Sequence, residues 1–307
     1  MNNTKNVVSN FLNIYWLRPE NAIHRSLDVL QMKNITFRRP SLDIGCGNGV
    51  FSFTRFDGRC DSGFDVYTGL EDVSGFYKGK DFYNQKTIVK PRIIKKPRSI
   101  IDYGLDWKQN LLNNAEQLNI YKNLVQHNLE KSLPFENASF NTIFSNVFYW
   151  ITDLRHLLSE CHRILKSTGR LIIAVPDKKF QKNMIYSEYL KHGHQWAKYL
   201  DRGNHENLQH FHTYAQWKSI FSSTGFKVEY HSSYLSEMFV RWSQVGHWIY
   251  TPTMTKMSNL IDREIRNIIK SKLIDNILPM VLSYVNYEMT LKNGTFHLFV
   301  LCPKNSK

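Results

Sequence analysis

From residue 99 to residue 176, short apolar runs alternate with segments of helical period. "SIIDYGLD" reads as a strand and "WKQNLLNNAEQLNIY" as an amphipathic helix. "NLVQHNLE" and "SFNTIFSNVFYW" read as strands, and "DLRHLLSECHRIL" as a helix with apolar residues at i, i+3 and i+4. "STG" is a turn before a buried strand, "RLIIAVP". Strands that alternate with helices predict an α/β chain: a parallel sheet with helices on both faces. At 307 residues and 42% hydrophobic, the chain can build a sizeable core.

The flanks divide the chain further. Residues 1–40 carry two stretches of helical spacing, "NVVSNFLNIYW" and "ENAIHRSLDVLQM", and predict an N-terminal helical cover. Residues 41–176 form the core. Within it, 54–98 is an insertion ending in "KTIVKPRIIKKPR", where Pro91 and Pro97 favour an extended loop or edge strand. Residues 177–289 read as a mainly helical substrate or cover lobe that lends the sheet one strand, "FKVEYHSSYL". Residues 290–307 hold the final strand, "GTFHLFVLCPK", after an Asn293-Gly294 turn signal.

The formal charge is +14, which favours anionic partners or reflects a general Lys-rich bias, since the charge is dispersed. Cys46, Cys60, Cys161 and Cys302 make no C-x-x-C pair, so neither a zinc site nor a disulfide framework is indicated. The N-terminus lacks an apolar signal region, and no apolar run reaches the roughly 18 residues needed to span a bilayer. A soluble, cytoplasmic protein is expected.

"SLDIGCGNGVFSF", residues 41–53, places Gly45, Gly47 and Gly49 directly after a buried strand. Glycines there permit positive φ and let a ligand approach the backbone, at the strand end where α/β sheets bind ligands. The pattern D-x-G-x-G-x-G is not G-x-G-x-x-G and lacks the Lys-Ser/Thr of a phosphate loop. It resembles motif I of the class I S-adenosylmethionine (SAM)-dependent methyltransferases. "GLDWKQNLLNNA", "HNLEKSLPFENASFNTIFSN" and "LLSECHRILKSTGRLIIAVP" resemble the family's later motifs in order. The resemblance covers about 43–176. It implies a Rossmann-like sheet, SAM as cofactor, and methyl transfer of the quinone, sugar or natural-product type.

Carried over residue by residue, the resemblance implies that Gly45, Gly47 and Gly49 pass the methionine end of the cofactor. Asp43 would orient the turn and meet the cofactor's ammonium, directly or through water. Asp106 would accept the ribose hydroxyls, and Trp107 would pack on the adenine edge. Asn128 and Leu129 take the adenine position, where the family usually has Asp. Asn146 would sit under the sulfonium. The stretch from Asp43 to Asp106 is about three times the usual βαβ spacing. Asp65 in "SGFDVY" is therefore a rival for the strand-ending acid. Asp106 is preferred because an amphipathic helix follows it at once.

On the acceptor side, Tyr15, Trp16, Tyr149 and Trp150 are candidate substrate-lining aromatics. His192, His194, His205, His210 and His212 crowd one stretch, but their two-residue spacings do not suit a metal. His210 and His212 are the candidate catalytic pair; ordinary surface or capping roles are the alternative. "SNVFYW" lacks the Asn/Asp-Pro-Pro-Tyr/Phe of base-amine methyltransferases, so a small-molecule acceptor is expected at oxygen or nitrogen: a sugar, a lipid-linked glycan or another amphiphile. RNA methylation through the basic run 90–98, and SAM binding without catalysis, are the alternatives. "SNLIDREIRNIIKSKLIDNILPMVLSYV" predicts one amphipathic helix, which either closes the core or makes weak peripheral membrane contact through Arg263, Arg266, Lys270 and Lys272.

Overall fold

The computed structural model describes residues 2–70, 88, 90–194 and 208–304. Helices α1 (Asn2–Ile14) and α2 (Pro19–Gln31) lead into strand β1 (Ser41–Ile44) and helix α3 (Val50–Arg55). A small antiparallel pair follows, β2 (Arg59–Cys60) with β3 (Ile93–Lys95). The alternating region gives β4 (Ile101–Asp106), α4 (Gln109–Glu116), β5 (Tyr121–Gln126), β6 (Phe140–Ser145), α5 (Leu154–Ile164) and β7 (Leu165–Pro176). Then come α6 (Lys178–Asn183), α7 (Tyr186–His192), α8 (Tyr214–Ser223) and β8 (Phe226–Tyr234). Helices α9 (Glu237–Ile249), α10 (Thr251–Leu260) and α11 (Arg263–Glu288) precede β9 (Phe296–Pro303).

Seven strands form one sheet in the order β5–β4–β1–β6–β7–β9–β8. The strands from β5 to β7 pair in parallel, and β9 runs antiparallel to both its neighbours. The carboxyl ends of β1 and β4 to β8 therefore share one edge with the start of β9. This is the expected α/β architecture, with the late strand "FKVEYHSSYL" as an edge strand beyond β9.

Local chemistry accounts for the elements. Asp153 caps α5 by accepting from His156 N–H at 2.9 Å, and Leu154, Leu157, Leu158, Cys161 and Ile164 turn one buried stripe onto the sheet. Thr213 and Gln216 form a reciprocal capping box at the start of α8. Two expectations are corrected. "STG" does not separate α5 from a later strand: β7 runs through it, and pairing passes from Phe140↔Leu165 to Thr142↔Arg170, so residues 166–169 stand opposite Asn141 as a bulge. The long helix over 258–285 is divided, because Ile261 is extended and Asp262 caps a new start through the Glu264 and Ile265 N–H groups.

Candidate cofactor and acceptor site

The glycine turn leaves β1 at the shared edge. Gly45 and Gly47 have φ of 72° and 55°, the left-handed region that favours glycine. A Cβ on Gly45 would lie 2.3 Å from Val147 Cγ2, so the turn needs glycine to pass the chain leaving β6. A Cβ on Gly47 would meet nothing within 4 Å: the backbone there faces open space.

Backbone and carboxylate bonds tie this turn to β4. Gly45 and Cys46 N–H donate to Leu105 O at 2.7 and 3.0 Å, and Gly47 N–H donates to Asp106 Oδ2 at 3.0 Å. Asp106 Oδ1 accepts from Lys108 N–H at 2.9 Å. Burial raises the Asp106 carboxyl, opposed by the Lys108 and Gly47 N–H bonds. With about four lone-pair sites, this carboxylate keeps capacity for further donors. Asp106 ends the strand beside β1, in register Ile44↔Leu105. The rival Asp65 is elsewhere, buried among Trp16, Arg266 and Lys270.

The other expected cofactor residues lie along the same edge. Trp107 is 62% exposed, with the Lys108 ammonium 5.1 Å from its ring centroid. His127 N–H donates to Asp106 O at 2.9 Å, which brings the end of β5 alongside. Asn128 is exposed, but its Oδ1 accepts from Glu130 N–H at 3.0 Å, so it also shapes the turn; Leu129 is buried. Asn146 is half-buried where the chain leaves β6. Gly49 opens α3 at φ 74°.

Asp43 lies in β1 just before the glycine turn and is buried. Its Oδ2 accepts from Ser52 Oγ at 2.5 Å and Tyr121 OH at 2.6 Å, which clamps α3 and β5 onto β1. Burial raises its carboxyl to about 6 despite these donors. The carboxylate is thus enclosed between α3 and β5, and the residue is 2% exposed.

The acceptor-side expectations divide. Trp16 is corrected: it is 3% exposed, and its indole donates to Asp65 Oδ2 at 3.0 Å, so it is a fixed part of the interior. Tyr15 is half-buried against Phe11. Tyr149 is buried beside Phe296, and Trp150 is exposed. His210 Nε2 lies 2.7 Å from Ile151 O, and Tyr149 O accepts from Gln209 and His210 N–H at 2.8 and 3.3 Å. These bonds bring His210 to the end of β6, with the His212 ring 5.7 Å away. His192 and His194 lie on and just after α7, and His205 lies outside the described residues.

Residue-by-residue reading missed a cluster on α2. Asp28 accepts from Tyr234 OH at 2.6 Å and from Arg25 Nη1 at 3.2 Å, and His24 Nε2 is 3.5 Å from its Oδ1. Arg25 stands over the Phe51 ring, directly after the glycine turn, at 5.8 Å. The His24 ring meets Phe296 edge-on at 5.0 Å, and burial lowers its pKa to about 4, leaving a neutral imidazole. The signal was there as a His and an Asp four residues apart on "HRSLD". Nothing local distinguishes that pair from a surface ion pair. A second missed chain links Asp177, His297 and His231. His297 Nε2 lies 2.8 Å from Asp177 Oδ2, and its Nδ1 lies 3.0 Å from His231 Nε2.

Residues 98–173 match the family described as "Methyltransferase domain". Over this stretch the chain is similar to methyltransferase domains. The malonyl-[acyl-carrier protein] O-methyltransferase 1 of Coxiella burnetii is 36% identical over 76 residues, 24% of this chain and 27% of that protein. The provisionally named methyltransferase YrhH of Bacillus subtilis is 30% identical over 84 residues, 27% of this chain and 47% of that protein. The chain thus spans about a quarter and about half the length of the curated relatives it matches. A SAM-dependent methyltransferase structure from Thermotoga maritima overlays with a TM-score of 0.46 at 12% identity, covering 93% of this chain and 91% of that one. The methyltransferase-domain match ends three residues before the end of β7 and begins just before β4, so it holds Asp106 but not the glycine turn.

Proposed function

We propose that the protein is a SAM-dependent methyltransferase acting on an oxygen or nitrogen of a small molecule. One observation carries this reading: the Gly47 N–H bonds the Asp106 carboxylate while the Gly47 Cα faces open space. That pair suits a nucleoside ribose on Asp106 and a close backbone passage at Gly47. SAM, when bound, supplies an electrophilic methyl on a sulfonium sulfur. This chain's residues align the acceptor and exclude water. In the proposed arrangement Gly45, Gly47 and Asn146 border the methyl donor's end, while Trp107, Asn128 and Leu129 border the adenine.

The acceptor side is assigned to Tyr149, Trp150 and the α2 cluster, with His210 or His212 as the proton-accepting group. His210 would donate Nε2–H to the Ile151 carbonyl, which leaves Nδ1 as its free acceptor when neutral. A neutral His24 is a further candidate. The chain "SNVFYW" after β6, with no Pro-Pro motif, supports a small acceptor over a nucleic-acid base.

Calorimetric titration with SAM and its demethylated product, then transfer of labelled methyl into a cell extract, tests the reading. Micromolar binding and a labelled small product are expected. NAD binding as tight as SAM binding would overturn the cofactor assignment. SAM binding with no transfer to any extract would reduce the protein to a SAM binder.

A further inference from the structure

The basic run of 90–98 finds its place beside the starts of three neighbouring strands. β1, β4 and β5 run in parallel, with Leu42 opposite Tyr103 and Ile101 opposite Tyr121. Arg38 and Arg39, Arg98, and Lys122 therefore gather at the amino edge of the sheet, opposite the glycine turn. Bonds hold these segments together. Arg98 N–H donates to Phe56 O at 2.8 Å, the Phe56 ring meets Phe37 at 5.6 Å, and Lys95 pairs with Asp57. Asp57 also pairs with Arg59, and Asp102 is shared by Arg39 and Lys122. Among the described residues, the side chains of Arg38, Lys96 and Arg98 make no hydrogen bond or ion pair, and all three are exposed. Seven cations thus stand around two carboxylates, each carboxylate already paired with two of them. The adjoining Asp61 and Glu116 are matched in number by Lys90 and Arg92, and in the stretch 71–87 Glu71, Asp72 and Asp81 are matched by Lys78, Lys80 and Lys86, so the surplus stands.

A further cation lies beneath. Arg55 is 8% exposed, with the rings of Phe37 and Phe56 at 3.7 and 4.9 Å from its guanidinium. Its Nη2 reaches Ile35 O at 3.4 Å, and its Nε and Nη1 have no hydrogen-bond partner among the described residues. Burial lowers its pKa to about 9; Asp43 opposes the shift and Arg98 adds to it. Positive charge is in excess both at the surface and under it, and an anion held by Arg98 relieves both.

The chemistry of the edge decides the partner. Guanidinium forks bind phosphate through paired hydrogen bonds. Neighbouring strand starts lie about 4.8 Å apart, close to the charge spacing of a nucleic-acid strand, about 3.4 Å along a duplex axis. Over 33–39, 90–98 and 119–123, Ile94 alone is large, apolar and exposed, so this edge has little to place between lipid tails. The basic residues of α11 offer no comparable surface. Arg266 and Lys270 are 5% and 0% exposed and bond Asp65, Ser62 O and Phe64 O, which corrects the expectation that both would face a membrane. We propose that the amino edge of β1, β4 and β5 docks the phosphate backbone of a nucleic acid through Arg38, Lys96 and Arg98, at the end of the sheet opposite the proposed methyl-transfer site.

The experiment uses the full chain and needs neither SAM nor an acceptor, so its failure leaves the methyl-transfer reading standing. Fluorescence anisotropy follows a labelled oligouridylate of about 20 nucleotides at about 0.05 M and about 0.2 M salt. Micromolar binding at low salt is expected, weakened roughly twentyfold to fiftyfold at the higher salt, as three or four phosphate contacts on a single strand require. The triple variant Arg38→Gln/Lys96→Gln/Arg98→Gln should bind at least about tenfold more weakly and with a shallower salt dependence, while keeping its melting temperature and SAM affinity. No binding at low salt would overturn the proposal, as would native affinity in the triple variant. Competition between the oligonucleotide and SAM would move the nucleic acid to the cofactor edge and overturn it too. Equal affinity for polyglutamate, or for vesicles containing phosphatidylglycerol, would assign the edge to an acidic protein or a membrane instead.

Discussion

Gly47 and Asp106 meet through one hydrogen bond, and the proposed cofactor site would use them in different ways. Gly47→Val fills the open space in front of the turn and is expected to abolish SAM binding. Asp106→Ala removes the acceptor and should weaken binding by about 1.5–3 kcal/mol, the scale of charge-assisted hydrogen bonds. Titration calorimetry on both variants checks this, and unchanged affinity in Gly47→Val would sink the site. Asp65→Ala should damage the fold instead. Burial pushes that carboxyl up, but the Lys270 and Arg266 cations outweigh burial and hold it down. Removing it strands two buried cations, at a cost of about 3–5 kcal/mol, read by denaturant unfolding. Asp43 adds a pH signature. Its folded pKa, about 6, lies above its ordinary value of 3.8 because of burial. Its stabilising share is therefore full below about pH 4 and is lost as pH rises through about 6. The stability advantage of the native protein over Asp43→Asn should shrink by roughly 2–3 kcal/mol between those limits; an advantage that grows with pH would contradict it.

At the scale of elements, the two ends of the helical lobe are fastened differently. The start of α8 rests on the Thr213–Gln216 capping box. Thr213→Ala should lower stability by about 1 kcal/mol in a thermal melt, with SAM affinity unchanged, because the box touches no cofactor residue. The end of β8 is fastened to α2 by the Tyr234–Asp28 bond, fully enclosed at both partners. Tyr234→Phe leaves that carboxylate short of a donor and should destabilise by about 1–3 kcal/mol. If α2 also roofs the acceptor, as proposed, the same variant will slow methyl transfer more than it weakens SAM binding.

For the molecule as a whole, the proposed site draws on parts far apart in the chain: the turn at 45–49, β4 and the end of β6 for the cofactor, and α2 with the start of β9 on the acceptor side. A ligand that binds only this assembled edge stabilises all of it. SAM at about 100 times its dissociation constant should add about 2.7 kcal/mol to unfolding and raise the melting temperature accordingly. Gly47→Val should show no such rise, which differential scanning fluorimetry can read directly.

What sequence alone determined follows from local physics. Helical and strand periodicity located β4, α4, β5, β6, α5 and β9, and a turn of three glycines after an apolar strand pointed to the candidate cofactor edge. The amphipathic segment behind Asp106 decided between it and Asp65, because a strand that feeds a helix at once is a property of neighbouring residues. The tertiary structure alone decided where charge is buried. "REIRNIIK" reads as an amphipathic helix with its basic side in water, yet Asp65, some two hundred residues away, draws Arg266 and Lys270 inward and turns Ile265, Ile268 and Ile269 out. Trp16, expected beside the acceptor, is held in the interior by the same carboxylate. Periodicity records which side chains share a face. Which face meets the core depends on partners that only folding brings near, and for a buried ion the partner outweighs the pattern.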